Sequence, residues 1–233
     1  MYDYSFLRVE EKYLISSKTK KELLSKIKDY LTKDKYYISN IHNIYFDTLN
    51  NDLIINSLEK PVFKDKFRAR CYGDMSKDSY IFLETKTKYN DIVSKRRIKI
   101  KLKDFNNYIK GKNININNQV FKEIDYYFKY YNMKPSIYIA YDRESYIGKY
   151  DDSLRITFDN NLRSRRNNLE FKENIKMQPY FKEDYYIMEI KSIYSMPLWL
   201  VKILSSMNIL PISFSKYGSI YKKELEMRVI NYV

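Results

Sequence analysis

Residues 66 to 73, KFRARCYG, constrain the fold more than any other stretch of the chain. Read with the two-residue period of a β-strand, they place Lys66, Arg68, Arg70 and Tyr72 on one face and Phe67, Ala69 and Cys71 on the other. The apolar face is ready for a core. The basic face needs either solvent or a polyanion opposite it.

The same design recurs along the chain. Alternating runs fall at about 5–14, 42–47, 63–72, 79–88, 93–102, 137–143, 154–160 and 185–191, a barrel-sized set of eight strands. The first opposes Arg8, Glu10 and Lys12 to Leu7, Val9 and Tyr13. In the fourth, Glu84, Lys86 and Lys88 oppose Leu83. SKRRIKIKL opposes Lys95, Arg97, Lys99 and Lys101 to Ile98, Ile100 and Leu102. Later strands set Tyr141 and Arg143 on a polar face, then Arg155, Thr157 and Asp159 against Leu154, Ile156 and Phe158, then Glu189 and Lys191 against Met188 and Ile190. One such face reads as the solvated side of an antiparallel sheet. Taken together, with helices covering the apolar faces, closure would turn the charged faces toward a shared lumen.

Helical periodicity appears at 18–32, from the Asp47/Thr48 cap to before Pro61, at 117–132, after Ser195 with Pro197 in the first turn, and at 215–230 behind Ser213 or Ser215. KGKNININNQ at 110–119 reads as an exposed loop. No linker or internal repeat breaks the order, so residues 1–233 are expected to form one domain.

Charge narrows the partner. Lys plus Arg number 43 against 29 acids, a formal +14, and that self-repulsion calls for a polyanion: nucleic acid, acidic lipid or soluble phosphate compounds. Cys71 is the sole cysteine, which excludes an internal disulfide and zinc-finger ligation. The first residues carry acids and no long apolar run, so neither a signal peptide nor a transmembrane helix is expected, and the location is expected to be cytoplasmic. There is no P-loop, dinucleotide fingerprint or nucleophile elbow. His42 reads as structural, and RSRR at 163–166 reads as a solvated turn ahead of a guide for a phosphate chain.

These motifs resemble the VTC (vacuolar transporter chaperone) polyphosphate polymerase domain of the triphosphate tunnel metalloenzyme, or CYTH-like, superfamily. The resemblance rests on EEKYLI at 10–15, YFDT at 45–48, FRARCYG at 67–73, FLETKTKYND at 82–91, SKRR at 94–97, YDRESY at 141–146, LRITFD at 154–159, MEIK at 188–191 and FSKYGS at 214–219, in the family's order. It implies an α+β fold: an antiparallel eight-stranded β-barrel tunnel with a charged lumen, covered by helices. It further implies a polyphosphate polymerase that moves the γ-phosphate of ATP onto a growing linear polyphosphate chain with Mn²⁺ or Mg²⁺. Carried over residue by residue, Lys12, Arg68, Arg70, Lys86, Lys95, Arg143 and Lys216 would be catalytic, Tyr141, Arg155, Lys191, Glu10 and Glu84 would bind substrate, and Glu189 would hold the metal. The partners implied are ATP and inorganic polyphosphate, without nucleic acid; a membrane-protein partner, and membrane association through it, would have to come from another chain. Two departures stand out. The first strand reads R-x-E-x-K from Arg8, less acidic than in the wider superfamily, which favours the polymerase branch, and Lys88 stands where eukaryotic polymerases carry a histidine.

Phosphoryl transfer suits such residues, because it needs positioning and charge neutralisation and an ionised phosphate acceptor needs no strong base. Three alternatives stay open. A tripolyphosphate or nucleoside triphosphate hydrolase of the same fold would show more lumen carboxylates than Glu10, Glu84 and Glu189. A nucleic-acid binder would interleave aromatic and basic residues on one face. A non-catalytic polyphosphate binder would bind without turnover.

Overall fold

The computed structural model describes residues 8–230 apart from 74, 77, 91 and 183, with the backbone alone at 8, 229 and 230. The start of the expected first strand, 5–7, lies outside the described residues. Strands are β1 (Arg8–Ser16), β2 (Leu31–Asp47), β3 (Phe63–Tyr72), β4 (Tyr80–Tyr89), β5 (Ile92–Lys101), β6 (Lys134–Gly148), β7 (Arg155–Arg165), β8 (Gln178–Pro179) and β9 (Tyr185–Ile193). Helices are α1 (Ser17–Ile27), α2 (Asp52–Leu58), α3 (Leu102–Ile109), α4 (Gln119–Tyr130), α5 (Leu198–Ser206) and α6 (Lys216–Ile230). The strands form one sheet in the order β1-β9-β7-β6-β2-β3-β4-β5, with β8 on β7. The expected α+β class with an antiparallel sheet is present. The chain divides into two compact units, and the division cuts through β2, β6 and β7.

The first unit comprises Met1–Ser39, Tyr141–Leu162 and Phe181–Phe214. Here β9 pairs antiparallel with both β1 and β7. The register stacks Glu11, Ile190 and Ile156 in one row and Tyr13, Met188 and Phe158 in the next, and α1 and α5 cover this apolar side. Leu23 and Ile27 of α1 and Leu200 and Leu204 of α5 are buried in the same core. Each such side chain contributes roughly 1.5–3 kcal/mol of burial. Ser16 caps α1, its hydroxyl accepting from the Thr19 amide at 3.1 Å. The helix ends at Ile27 and not at 32: Leu31, one helical turn beyond, is buried as the first residue of β2.

The second unit comprises Asn40–Ala140, Arg163–Tyr180 and Ser215–Val233. Its core joins Ile44, Phe46, Phe67, Ala69, Leu83 and Ile100 of β2 to β5 with Phe105 of α3 and Phe121 and Ile124 of α4. Helix α3 begins at Leu102, the last residue of the expected strand 93–102, and fills the stretch before the expected loop at 110–119, to which the sequence assigns no element. Asp47 lies outside α2, whose N-cap is Asn51 in the left-handed conformation at φ 61°. Asp47 still satisfies the helix start, accepting from the Leu53 and Ile54 amides at 2.9 and 3.0 Å.

Two polar faces as a candidate functional site

In the second unit the backs of β2 to β5 carry the charge. Register sets Tyr45, Arg68, Glu84 and Arg97 in one row, Asn43, Arg70, Phe82 and Lys99 in a second, and Lys66, Lys86 and Lys95 in a third. Glu84 is the hub: Arg68 Nε donates to its Oε2 at 2.6 Å, Lys95 Nζ reaches Oε1 at 2.9 Å, and Arg70 Nε lies 3.9 Å away. Its carboxylate is 3 % exposed. Burial alone would raise its pKa, but Arg68, Arg70 and Lys95 outweigh burial and hold it at about 2.

Sequence reasoning missed the groups that fix Arg70. Its Nε donates to Asn43 Oδ1 at 2.9 Å and its Nη1 to the Tyr72 hydroxyl at 3.1 Å, while Asn43 donates to the Ile139 carbonyl at 3.1 Å. Tyr45, which is buried, accepts from Arg68 Nη1 at 3.4 Å. Burial would raise the Tyr45 phenol, yet Arg68, Arg70 and Lys216 pull it below its ordinary value. Lys216, at the start of α6, therefore belongs to this basic environment. Lys66 donates to Ser215 Oγ at 3.1 Å. Lys86 is exposed. On β5, Arg97 lies over the Phe82 ring at 4.9 Å and Lys99 over Tyr80 at 3.7 Å, so these two cations are held by aromatic faces.

The first unit has its own polar face on β1, β9, β7 and β6. Glu10, Lys191 and Arg155 form one row, and Lys12, Glu189 and Thr157 the next. Lys12 Nζ donates to Glu10 at 2.7 Å, and Lys191 pairs with both Glu189 and, at 3.8 Å, Glu10. For Glu10, burial and the neighbouring Glu189 favour protonation, but Lys191 and Lys12 leave its pKa below the ordinary value. Arg143 grips Asp159 by two parallel bonds, Nε to Oδ1 at 2.6 Å and Nη2 to Oδ2 at 2.8 Å. Tyr141 is buried, its ring 5.4 Å from the Arg143 guanidinium.

Two acids on this face were not counted from sequence. Asp159 is 1 % exposed and anchors Arg143; Asp34 draws Arg155 aside at 3.2 Å. Both matter for the acid count expected to separate a hydrolase from a polymerase, which is higher than Glu10, Glu84 and Glu189 alone. RSRR is not a solvated turn. Arg165 stacks on Tyr138 at 3.5 Å, and Arg166 chelates Glu224 while donating to Ser136. His42 is structural as expected, its Nδ1 2.9 Å from the Tyr138 hydroxyl.

Over residues 7–224 the sequence matches the family model described as the VTC domain. The chain belongs to the VTC domain family. The fold of this VTC domain is similar to that of a provisionally assigned adenylate cyclase from Bacillus halodurans, at 14 % identity and TM-score 0.54, covering 90 % of this chain and 94 % of that one. A Pyrococcus horikoshii protein matches at 14 % identity, 94 % and 99 % coverage and TM-score 0.49. A provisionally assigned adenylyl cyclase from Hippeastrum, described as having a dominant triphosphatase activity, matches at 13 % identity, 93 % and 96 % coverage and TM-score 0.47. At this identity the likeness to the Bacillus halodurans structure shows a shared fold. No described helix is long and apolar enough to cross a membrane.

Proposed function

We propose that this VTC domain transfers the γ-phosphoryl group of ATP to the end of a linear polyphosphate chain. The observation that carries the reading is the Glu84 hub: one buried carboxylate holds Arg68 and Lys95, with Arg70 alongside, in fixed positions on a face that retains a positive excess. Guanidinium groups whose planes are fixed at Nε and Nη1 present an ordered cationic face to phosphate oxygens. Lys66 and Lys86 continue the row one rung on, so equivalent phosphates meet equivalent cations as a chain advances.

The polar face of the first unit offers phosphate-binding cations of its own in Lys12, Arg143 and Lys191, with Arg143 oriented by Asp159. Among the described residues no three His, Cys, Asp or Glu side chains gather as a metal cage. Glu10 and Glu189, on adjacent strands and joined through Lys191, suit a hard ion that takes one or two carboxylates and completes its shell with phosphate oxygens and water. Bound Mn²⁺ or Mg²⁺ would neutralise charge on the phosphate oxygens. The acceptor phosphate is already ionised at neutral pH, so the residues need only position and neutralise.

Asp159 and Asp34 raise the acid count of this face, and by that count a second reading is hydrolysis of tripolyphosphate or a nucleoside triphosphate. Incubation with ATP and Mn²⁺ or Mg²⁺ separates the two. A ladder of long phosphate chains on a gel supports transfer, whereas free phosphate without a ladder assigns hydrolysis.

A further inference from the structure

The β3–β4–β5 end of the second unit carries an apolar tip that no core uses. Phe63, Tyr89 and Ile92 stand in one cross-strand row, and Val93 occupies the next row with Lys88 and Lys64. Val62 is tied to the same tip, its carbonyl accepting from the Asn90 amide at 2.8 Å. These are exposed side chains: Ile92 75 %, Val62 60 %, Tyr89 57 %, Val93 49 % and Phe63 44 %. Tyr89 pairs with Ile92 at the end of the β4–β5 ladder, and Asn90 follows Tyr89 at φ 50°.

Lysines gather behind the tip. Lys64 sits opposite Lys88, and Lys66 opposite Lys86. Lys60, Lys86 and Lys88 are close enough that, added to its partial burial, their charges disfavour the charged form of Lys64. Asp65, between Lys64 and Lys66, is buried and accepts from Thr87. An apolar point backed by cations matches the interface of a bilayer with anionic headgroups, where the side chains enter the acyl boundary and the lysines remain at the phosphates. A second copy of the chain fits less well: β5 presents Lys95, Arg96, Arg97, Lys99 and Lys101, and two such strands would bring like charges together.

We propose that this tip docks the protein directly on an anionic phospholipid surface. Lys66 and Lys86 are shared with the transferase reading, but Val62, Phe63, Tyr89, Ile92 and Val93 hold none of the proposed substrate or metal, so a change at the apolar tip tests the docking alone.

The test is co-sedimentation of the full chain with phosphatidylcholine vesicles with and without phosphatidylglycerol. The wild type is expected to pellet only with the anionic vesicles. The variant Ile92→Ser/Val93→Ser should lose at least about tenfold in vesicle affinity. It should keep the melting-temperature rise given by tripolyphosphate, which shows that its fold and basic face are intact. Tyr150→Ser, at a residue 80 % exposed in the first unit, serves as a control and should bind like the wild type. Three results would overturn the proposal: no pelleting of the wild type with anionic vesicles, equal pelleting of the tip variant, or a concentration-dependent dimer that the tip variant abolishes while neither protein binds vesicles.

Discussion

Arg143 and Asp159 face each other across β6 and β7 in a two-pronged ion pair of 2.6 and 2.8 Å, with the carboxylate 1 % exposed. The pair fixes the plane of the guanidinium, and Tyr141, Asp159 and Glu189 together hold its pKa well above the ordinary arginine value although burial opposes them. Truncating Asp159 leaves the Arg143 guanidinium, its side chain only 18 % exposed, without its carboxylate. Asp159→Ala is therefore expected to cost about 3–5 kcal/mol in urea unfolding, and the double variant with Arg143→Ala is expected to cost less than the sum of the singles. Additive losses would show that the two side chains are not coupled. Arg143→Lys should not restore activity, since a point charge cannot use both carboxylate oxygens.

Glu84 makes acid stability measurable. Its pKa in the folded protein is about 2 against an ordinary 4.5, so folding favours the ionised form. Its contribution is complete above about 4.5 and is lost as pH falls toward 2. The shift corresponds to about 3 kcal/mol. Glu84→Gln should be less stable than the wild type at pH 7 by an amount of this order, and the gap should narrow as the pH is lowered through 4 to 3. A gap independent of pH would remove Glu84 from the role of charged hub.

What could be read from the sequence follows from how strictly the residues alternate. Phe63–Tyr72 was expected at its observed limits because both faces are patterned, and a one-residue slip would turn Arg68 and Arg70 into the core. The first half of β2, TKDKYYISN, is exposed or half-exposed on both sides, so no burial pattern marked it. Helix α3 buries only Leu102 and Phe105, too few to show a period next to a strongly alternating strand. Asp34 and Asn43 were missed for another reason. Their partners, Arg155 and Arg70, are remote in sequence, and only the fold brings them together.

Lys86 and Arg70 lie on the same basic face, and the structure separates their responses to alanine. Lys86 is exposed, whereas Arg70 is 7 % exposed and supports Asn43 and Tyr72. Lys86→Ala should abolish polyphosphate synthesis and leave the melting temperature unchanged. Arg70→Ala should abolish synthesis and also destabilise by about 1–3 kcal/mol, because buried partners lose their donor. Normal synthesis by both variants would end the assignment of this face.

Tripolyphosphate should raise the melting temperature, because a ligand that binds only the native state stabilises it by about 2.7 kcal/mol at one hundred times its Kd. Arg68→Ala should reduce the rise, as should added salt, which screens exposed charges such as Lys86. No rise at millimolar ligand would argue against a polyanion site on either face.

The Asp47–Tyr217 bond gives a final prediction with a defined pH sign. Asp47 is fully buried and accepts from the Thr48, Leu53 and Ile54 amides and from the Tyr217 hydroxyl at 3.0 Å. Burial raises its pKa despite those donors, so folding favours the protonated form and its stabilising contribution fades as pH rises through the folded-state value. The Tyr217 hydroxyl opposes that trend because it donates to the carboxylate. Tyr217→Phe removes this donor and the contact with Ser136 at 2.9 Å. The loss should be about 1–2 kcal/mol at pH 7 and smaller at pH 3, where more of Asp47 is protonated and the missing donor matters less. A deficit that grows on acidification would mean that Tyr217 does not support the Asp47 carboxylate.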